Sequence, residues 1–184
     1  MNEQLVRDFI TLFKGFPNAY GTNEGGCRWE KPNFENHLFG DRDDDMIGTY
    51  PMEAYDSERK YAEMQPDMWH CIWGAIDIDE GDESLDYAFN AQTILRALEI
   101  PSWVELSRSK GCHVWVFCEE WVTAKLIRKV LKGVMQVGKI PYDAVYPKQD
   151  SLDGPVGNYM RLPYGCKRPK QRQEMINHTG EPYD

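Results

Sequence analysis

Cys71-Ile72-Trp73-Gly74-Ala75-Ile76-Asp77-Ile78-Asp79 is an apolar run that ends on two alternating carboxylates. It reads as a buried strand, because it is short and rich in β-branched and aromatic residues. Strand side chains alternate between faces, so Asp77 and Asp79 share one. Two neighbouring carboxylates repel, and keeping both ionised beside a core is costly unless a cation sits between them. Taken alone, the pair also fits the polar face of an edge strand. The chain downstream decides between the two.

After Gly81 the spacing of Leu85, Ala88, Phe89, Leu95 and Leu98 predicts a helix over 84–99, with Ser84 near its start and Pro101 beyond it. Trp103 to Leu106 and His113 to Phe117 read as strands. Leu126, Ile127, Val130, Leu131 and Val134 predict a second helix over 120–137, whose Lys125, Arg128, Lys129 and Lys132 form a solvated basic face. A short strand follows around 158–162. Strand, helix, strand, strand, helix, strand predicts an α+β fold, an antiparallel or mixed sheet with its helices packed on one face.

Working outward, Leu5, Val6, Phe9, Ile10 and Phe13 predict an amphipathic helix over 3–14, stopped by Gly15. Residues 15–36 read as loops or a short hairpin, with Tyr20, Trp29 and Phe34 as local core or base-stacking aromatics. Ile47 to Pro51 is a strand ended by proline. Residues 52–68 show no pattern. The organisation expected is an N-terminal α/β extension (1–36), a motif-bearing body (37–165) and a polar tail (166–184) containing Lys167-Arg168-Pro169-Lys170, together one compact domain.

At 184 residues, 41% hydrophobic and 28% charged, the chain has enough apolar sequence for a substantial core. No apolar run reaches membrane-spanning length, and the first residues lack a signal peptide's basic and apolar regions. The five cysteines are scattered, with no C-x-x-C pair, which argues against a disulfide framework and an all-cysteine zinc site. A cytoplasmic protein with reduced thiols is expected, and nothing demands a partner chain, so a monomer is too. The net charge is −9, but residues 1–100 carry 8 Lys and Arg against 21 Asp and Glu, and residues 101–184 carry 13 against 9. The second half is therefore the one able to meet phosphates.

Three clusters carry chemistry. After Asp77 and Asp79 comes Ser107-Arg108-Ser109-Lys110-Gly111-Cys112-His113, a turn between two strands. It offers hydroxyls, backbone N–H groups and two cations in a small space, which suits a polyphosphate. Gly111 permits close backbone approach. His113 shares a face with Trp115 and Phe117. The third cluster is Gln149-Asp150, followed by Gly157-Asn158-Tyr159-Met160-Arg161-Leu162-Pro163.

In this order the clusters resemble the archaeo-eukaryotic primase, or primase–polymerase, superfamily: an acidic D-x-D strand, a Ser…Gly-x-His segment and a later Asp. The likeness covers about residues 37–165 and is greatest to primase domains of phages and mobile elements. It implies an RRM-like catalytic sheet and template-directed nucleotidyl transfer with two Mg²⁺ or Mn²⁺ ions, which prefer oxygen ligands. By the same resemblance Asp77, Asp79 and Asp150 are the catalytic metal ligands, Asp143 competes with Asp150, and Asp153 is a weaker rival. Ser107, Arg108, Lys110, His113 and Arg161 would bind the nucleotide's triphosphate, with the template strand as a second role for Arg161. The partners implied are (d)NTPs, a single-stranded DNA template and a primer, with a replicative helicase acting in trans or from a missing segment. These residues hold no P-loop and leave no room for the separate priming domain of some members, as in an excised catalytic domain or a minimal enzyme, so primer extension is expected ahead of de novo priming. Two other readings use the same residues. A non-catalytic RRM-like binding module would gain nothing from clustered acids facing phosphates, and a metal-dependent nuclease would not need the triphosphate turn.

Overall fold

The computed structural model describes residues 3–54, 60–141, 144–165 and 173–183. The apolar run is β5 (Trp69–Ile78), a long strand near the middle of the main sheet. The chain reaches it through α1 (Glu3–Phe13), β1 (Tyr20–Thr22), β2 (Cys27–Arg28), α2 (Phe34–Phe39), β3 (Ile47–Thr49) and β4 (Glu53–Ala54). Beyond it come α3 (Ser84–Ala97), β6 (Trp103–Leu106), β7 (Cys112–Thr123), α4 (Ala124–Gly138), β8 (Ala144–Tyr146), β9 (Met160–Arg161) and β10 (Glu174–Ile176). The main sheet runs β10-β6-β7-β5-β4, with β8 also paired to β5. Within it, β8-β5-β7-β6 are antiparallel neighbours joined by α3 and α4. This is the split β-α-β-β-α-β arrangement expected of an RRM-like sheet.

Alternation along β5 sorts its two faces. Ile76 and Ile78 join Val104, Val114 and Val116 beneath α3 and α4, which bury Ala88, Ala91, Leu95, Ile127 and Leu131 against them. Gly74 is where α4 comes closest, since a Cβ there would stand 2.6 Å from Ile127 Cδ1. On the other face Trp73 and Trp115 are fully buried, packed with Phe9 and Phe13 of α1 and with Ile47 and Met160. Those last two belong to a smaller sheet, β2-β1-β3-β9. His37 ties it to its surroundings: its Nδ1 accepts from Ile47 N–H at 3.2 Å, so Nε2–H donates to the Pro163 carbonyl at 2.8 Å. Burial holds this imidazole down at about 4, against the opposing pull of the Pro163 carbonyl.

Several expectations need correction. The second helix begins at Ala124, not 120, because Trp121-Val122-Thr123 continue β7 against Cys71 and His70. Thr123 then caps α4, its hydroxyl accepting from Leu126 N–H at 3.3 Å. Leu98 and Leu126, placed on apolar faces by spacing, are more than half exposed. β8 forms between α4 and the expected 158–162 strand, where no strand was expected; 15–36 does hold a short hairpin, β1–β2, and also the start of α2, with Asn33 Oδ1 accepting from Asn36 N–H at 2.9 Å. The predicted tail contains β10, which pairs with β6 in the main sheet. Lys167 to Lys170 lie outside the described residues. No helix among the described residues is long and apolar enough to cross a membrane.

Candidate active site

Antiparallel register sets Asp77 of β5 opposite His113 of β7, and His113 opposite Glu105 of β6. The three side chains therefore line up across neighbouring strands on the face away from α3 and α4. Glu105 is fully buried. Its Oε2 accepts from Trp115 Nε1–H and lies 2.9 Å from His113 Nδ1, and its Oε1 accepts from Gln173 Nε2–H at 2.6 Å. On its other side His113 Nε2 stands 3.4 Å from Asp77 Oδ1. Burial pulls this imidazole's pKa down, but the Glu105 charge and the hydrogen bonds to Asp77 and Glu105 outweigh it and raise the value to about 10. His113 is thus an imidazolium at neutral pH, donating from Nδ1 to Glu105 and presenting Nε2–H toward Asp77.

Asp79 follows two residues after Asp77, just past the strand's end, and both face one cavity of about 670 Å³. The turn after β6 supplies its next wall. Ser107 N–H donates to the Gly111 carbonyl at 3.0 Å and closes the loop. A Cβ on Gly111 would stand 2.6 Å from the Ile78 carbonyl oxygen and 3.2 Å from Ser107 Oγ, so the turn seats against β5 only because residue 111 lacks a side chain.

Two arginines close the far side. Arg108 Nη1 donates to Asn23 Oδ1 at 2.6 Å, and Arg161 Nη2 donates to the Asn23 carbonyl at 3.0 Å. Asn23 sits in the β1–β2 turn, so the N-terminal hairpin helps to build the site. Tyr159, whose ring fills the space left by Gly21 and Gly48, donates its hydroxyl to the Thr22 carbonyl at 2.9 Å and steadies that hairpin. Arg161 Nε is buried with no hydrogen-bond partner among the described residues.

Of the residues predicted from sequence, Asp77, Asp79, Ser107, Arg108, His113 and Arg161 line this cavity. Lys110 does not: its ammonium pairs with Asp82 at 3.3 Å, on a largely exposed surface. Asp150 does not either. Its Oδ1 accepts from Arg128 Nε at 2.5 Å, and Arg128 also donates to the Pro147 carbonyl at 2.7 Å. Asp153 is absent from the lining too. Asp143 lies outside the described residues. Among the described residues no group of three or more His, Cys, Asp or Glu side chains is arranged to hold a metal ion by itself.

Sequence reasoning missed Glu105, Asn23 and Gln173. Glu105 had a signal, since a hairpin closed between Ser107 and Gly111 places residue 105 opposite residue 113. Asn23 and Gln173 had none, because their partners are far away in the chain.

Residues 21–184 match the family described as the TOTE conflict system archaeo-eukaryotic primase domain. No curated protein matches. Among solved structures, the polymerase domain of Mycobacterium tuberculosis Ligase D in complex with DNA is similar at a TM-score of 0.42 and 14% identity, over 70% of this chain and 50% of that one. The chain therefore spans half the length of that relative. Since the family match takes in the acidic strand, the Ser107–His113 turn and the hairpin that holds both arginines, the chain belongs to the archaeo-eukaryotic primase domains of TOTE conflict systems.

Proposed function

We propose that this protein is a template-directed nucleotidyltransferase that adds nucleotides to a primer 3′-OH on single-stranded DNA, using Mg²⁺ or Mn²⁺. The observation that carries the reading is one cavity with an acidic and a cationic side: Asp77 and Asp79 against His113, Arg108 and Arg161. A binder of nucleic acid alone has no use for the acids, which repel phosphates. An RRM-like binder would also stack bases on the sheet's aromatics. Here Trp73 and Trp115 are fully buried, and Phe13 of α1 packs edge-on against Trp115 at 5.1 Å.

The donor set fits a hard divalent cation. Asp77 is about one-third exposed to the cavity, and its carboxylate and that of Asp79 offer oxygen ligands only. Mg²⁺ characteristically takes one or two carboxylates and fills its remaining positions with water and substrate phosphates. Asp77 and Asp79 are the residues that would hold such ions, two in number by the family's pattern. When bound, they supply Lewis acidity to the attacking 3′-oxygen and charge neutralisation at the phosphates.

The chain's own groups do the rest. Ser107 and the closed turn offer hydroxyl and N–H donors to the triphosphate. Arg108 and Arg161, both tethered through Asn23, supply fork-shaped donors suited to phosphate oxygens. His113 Nε2–H is held at the acidic end of the cavity, where it can donate to a phosphate oxygen placed beside Asp77. Glu105 orients that ring without reaching the cavity.

The test is extension of a primed single-stranded template with Mn²⁺ or Mg²⁺ and either dNTPs or NTPs, compared with Asp77→Ala/Asp79→Ala. Extension lost in the double variant supports the proposal. Template binding without extension favours the binding module, and template shortening favours a nuclease. Omitting the primer reads out priming.

A further inference from the structure

Across the sheet from the cavity, α4 and β8 enclose a second groove of about 850 Å³. Lys132 on α4, Lys139 at its C-cap, Lys148 beyond β8 and Arg128 line it, and no carboxylate does among the described residues. Arg128 is engaged by Asp150, but none of the three lysines has a carboxylate partner among the described residues. All three are exposed. The floor between them is apolar, formed by Met135, Ile140 and Val145.

The ordinary explanation of such lysines is a solvated helix face, with a cation at a helix C-terminus favoured by the dipole. It accounts for Lys125 and Lys129, which stay outside the groove, and for Lys139 taken singly. It does not account for Lys148, which belongs to a different element and meets the others across the groove. Nor does it account for their gathering in a chain of net charge −9. Lys139 also adopts a left-handed conformation (φ 50°, ψ 35°) that usually falls to glycine, so a long cationic side chain stands where the backbone favours none.

The groove and the cavity lie on either side of one strand. β8 is the wall between them, with Val145 facing the groove and Tyr146 facing the cavity. Lys148 bridges the two, its Nζ lying 4.9 Å from the centroid of the Tyr146 ring. Lys148 thus sets one positive charge beside the strand that parts groove from cavity, and Lys132 and Lys139 carry the charge on to the end of α4.

We propose that this groove holds the phosphodiester backbone of single-stranded nucleic acid running to or from the cavity, with Lys132, Lys139 and Lys148 as phosphate contacts. The inference rests on the polymerase reading for its direction but is tested apart from it. A single strand fits better than a duplex because it leaves base faces free to meet the apolar floor.

The experiment measures binding of a fluorescein-labelled single-stranded oligonucleotide by anisotropy, with EDTA and no nucleotide, between about 50 and 200 mM salt. Wild type is compared with Lys132→Gln/Lys139→Asn/Lys148→Gln, Asn being chosen for its tolerance of the left-handed conformation. Each single-strand phosphate contact contributes about −0.7 to the log–log salt slope, so the triple variant's slope should be shallower by about 2. Its affinity at the low-salt end should fall at least tenfold, and binding of nucleotide with Mn²⁺ should be unchanged. Replacing the same three residues by Arg should restore the slope, which separates charge from folding. A triple variant with the wild-type slope overturns the inference, and this is also the result if the groove serves an acidic protein. Equal losses for single strand and duplex overturn it, as does a wild type that binds no single strand at low salt. A protein that shows the predicted slope but extends no primer refutes the polymerase reading and leaves the groove standing.

Discussion

Replacing Glu105 by Gln removes the charge that keeps His113 protonated while leaving the hydrogen bonds around it replaceable. Gln places its amide oxygen where Oε2 now accepts from Trp115 and faces His113, and its amide nitrogen can donate to Gln173 once that side chain turns over. The magnitude follows from linkage. His113 has an ordinary value of 6.5 when unfolded and about 10 when folded. At about 1.4 kcal/mol per pH unit, this contributes on the order of 5 kcal/mol. Because the folded value is raised, the contribution is fully present below pH 6.5 and is lost as pH rises through 10. Removing one partner of a buried charge pair costs about 3–5 kcal/mol by mutational precedent, which agrees. Out of a total stability of about 5–15 kcal/mol, the variant should fold but melt on the order of 10 °C lower at pH 6.5. The assay is urea unfolding of both proteins from pH 6.5 to 9 in EDTA, read as the difference between them so that other groups cancel. The gap should narrow by up to about 1.4 kcal/mol per pH unit as the wild type loses its advantage. Nucleotide affinity at neutral pH should fall along with stability, since a neutral His113 turns a lone pair toward Asp77. A gap that stays constant with pH would refute the reasoning, as would a wild-type His113 ring proton that titrates near 6.5.

Asp150→Asn should cost about 1–3 kcal/mol, because Arg128 is largely buried although Asp150 is partly exposed and an amide oxygen can still accept from the guanidinium. Primer extension should stay within twofold of wild type, whereas a true metal ligand would abolish it. Gly111→Ala drives a Cβ into the Ile78 carbonyl, so it should cost about 1–3 kcal/mol in urea unfolding and weaken nucleotide binding measured by calorimetry. Asn23→Ala removes the Oδ1 that accepts from Arg108 but keeps the backbone carbonyl that accepts from Arg161, so it should loosen Arg108 alone and raise KM for nucleotide a few-fold with little change in melting temperature. His37 acts at the acid end: with a folded value of about 4 against 6.5 unfolded, its stabilisation is present above pH 6.5 and lost as pH falls through 4, on the order of 3 kcal/mol. NMR should show its ring not titrating above pH 5.

Much of the candidate site was legible because its parts are local. Asp77 and Asp79 share a face by alternation along one strand, and Ser107 to His113 is one hairpin turn. The order of apolar segments was enough to propose the sheet and its two crossover helices. Lys110 and Asp150 show where local reading ends. Each has a residue type and position suited to the site, yet Asp150 is paired with the largely buried Arg128, and Lys110 lies on open surface beside Asp82. Nothing in the local pattern announces such competition, because an ion pair depends on what else the fold brings within reach. β10 was read as a polar tail for a related reason: three residues suffice for an edge strand only because β6 already offers its hydrogen-bonding groups.

The sequence by itself therefore determined the element order, the acidic strand and the phosphate-suited turn, all of which depend on neighbours a few residues away. Only the tertiary structure decided that Glu105 and Asp77 would hold His113 between them, and that Asn23 would anchor Arg108 and Arg161 from 85 and 138 residues away. It also decided that lysines from α4 and from beyond β8 would meet around a sheet edge. These depend on register and packing between distant segments, which alternation and helical period do not encode.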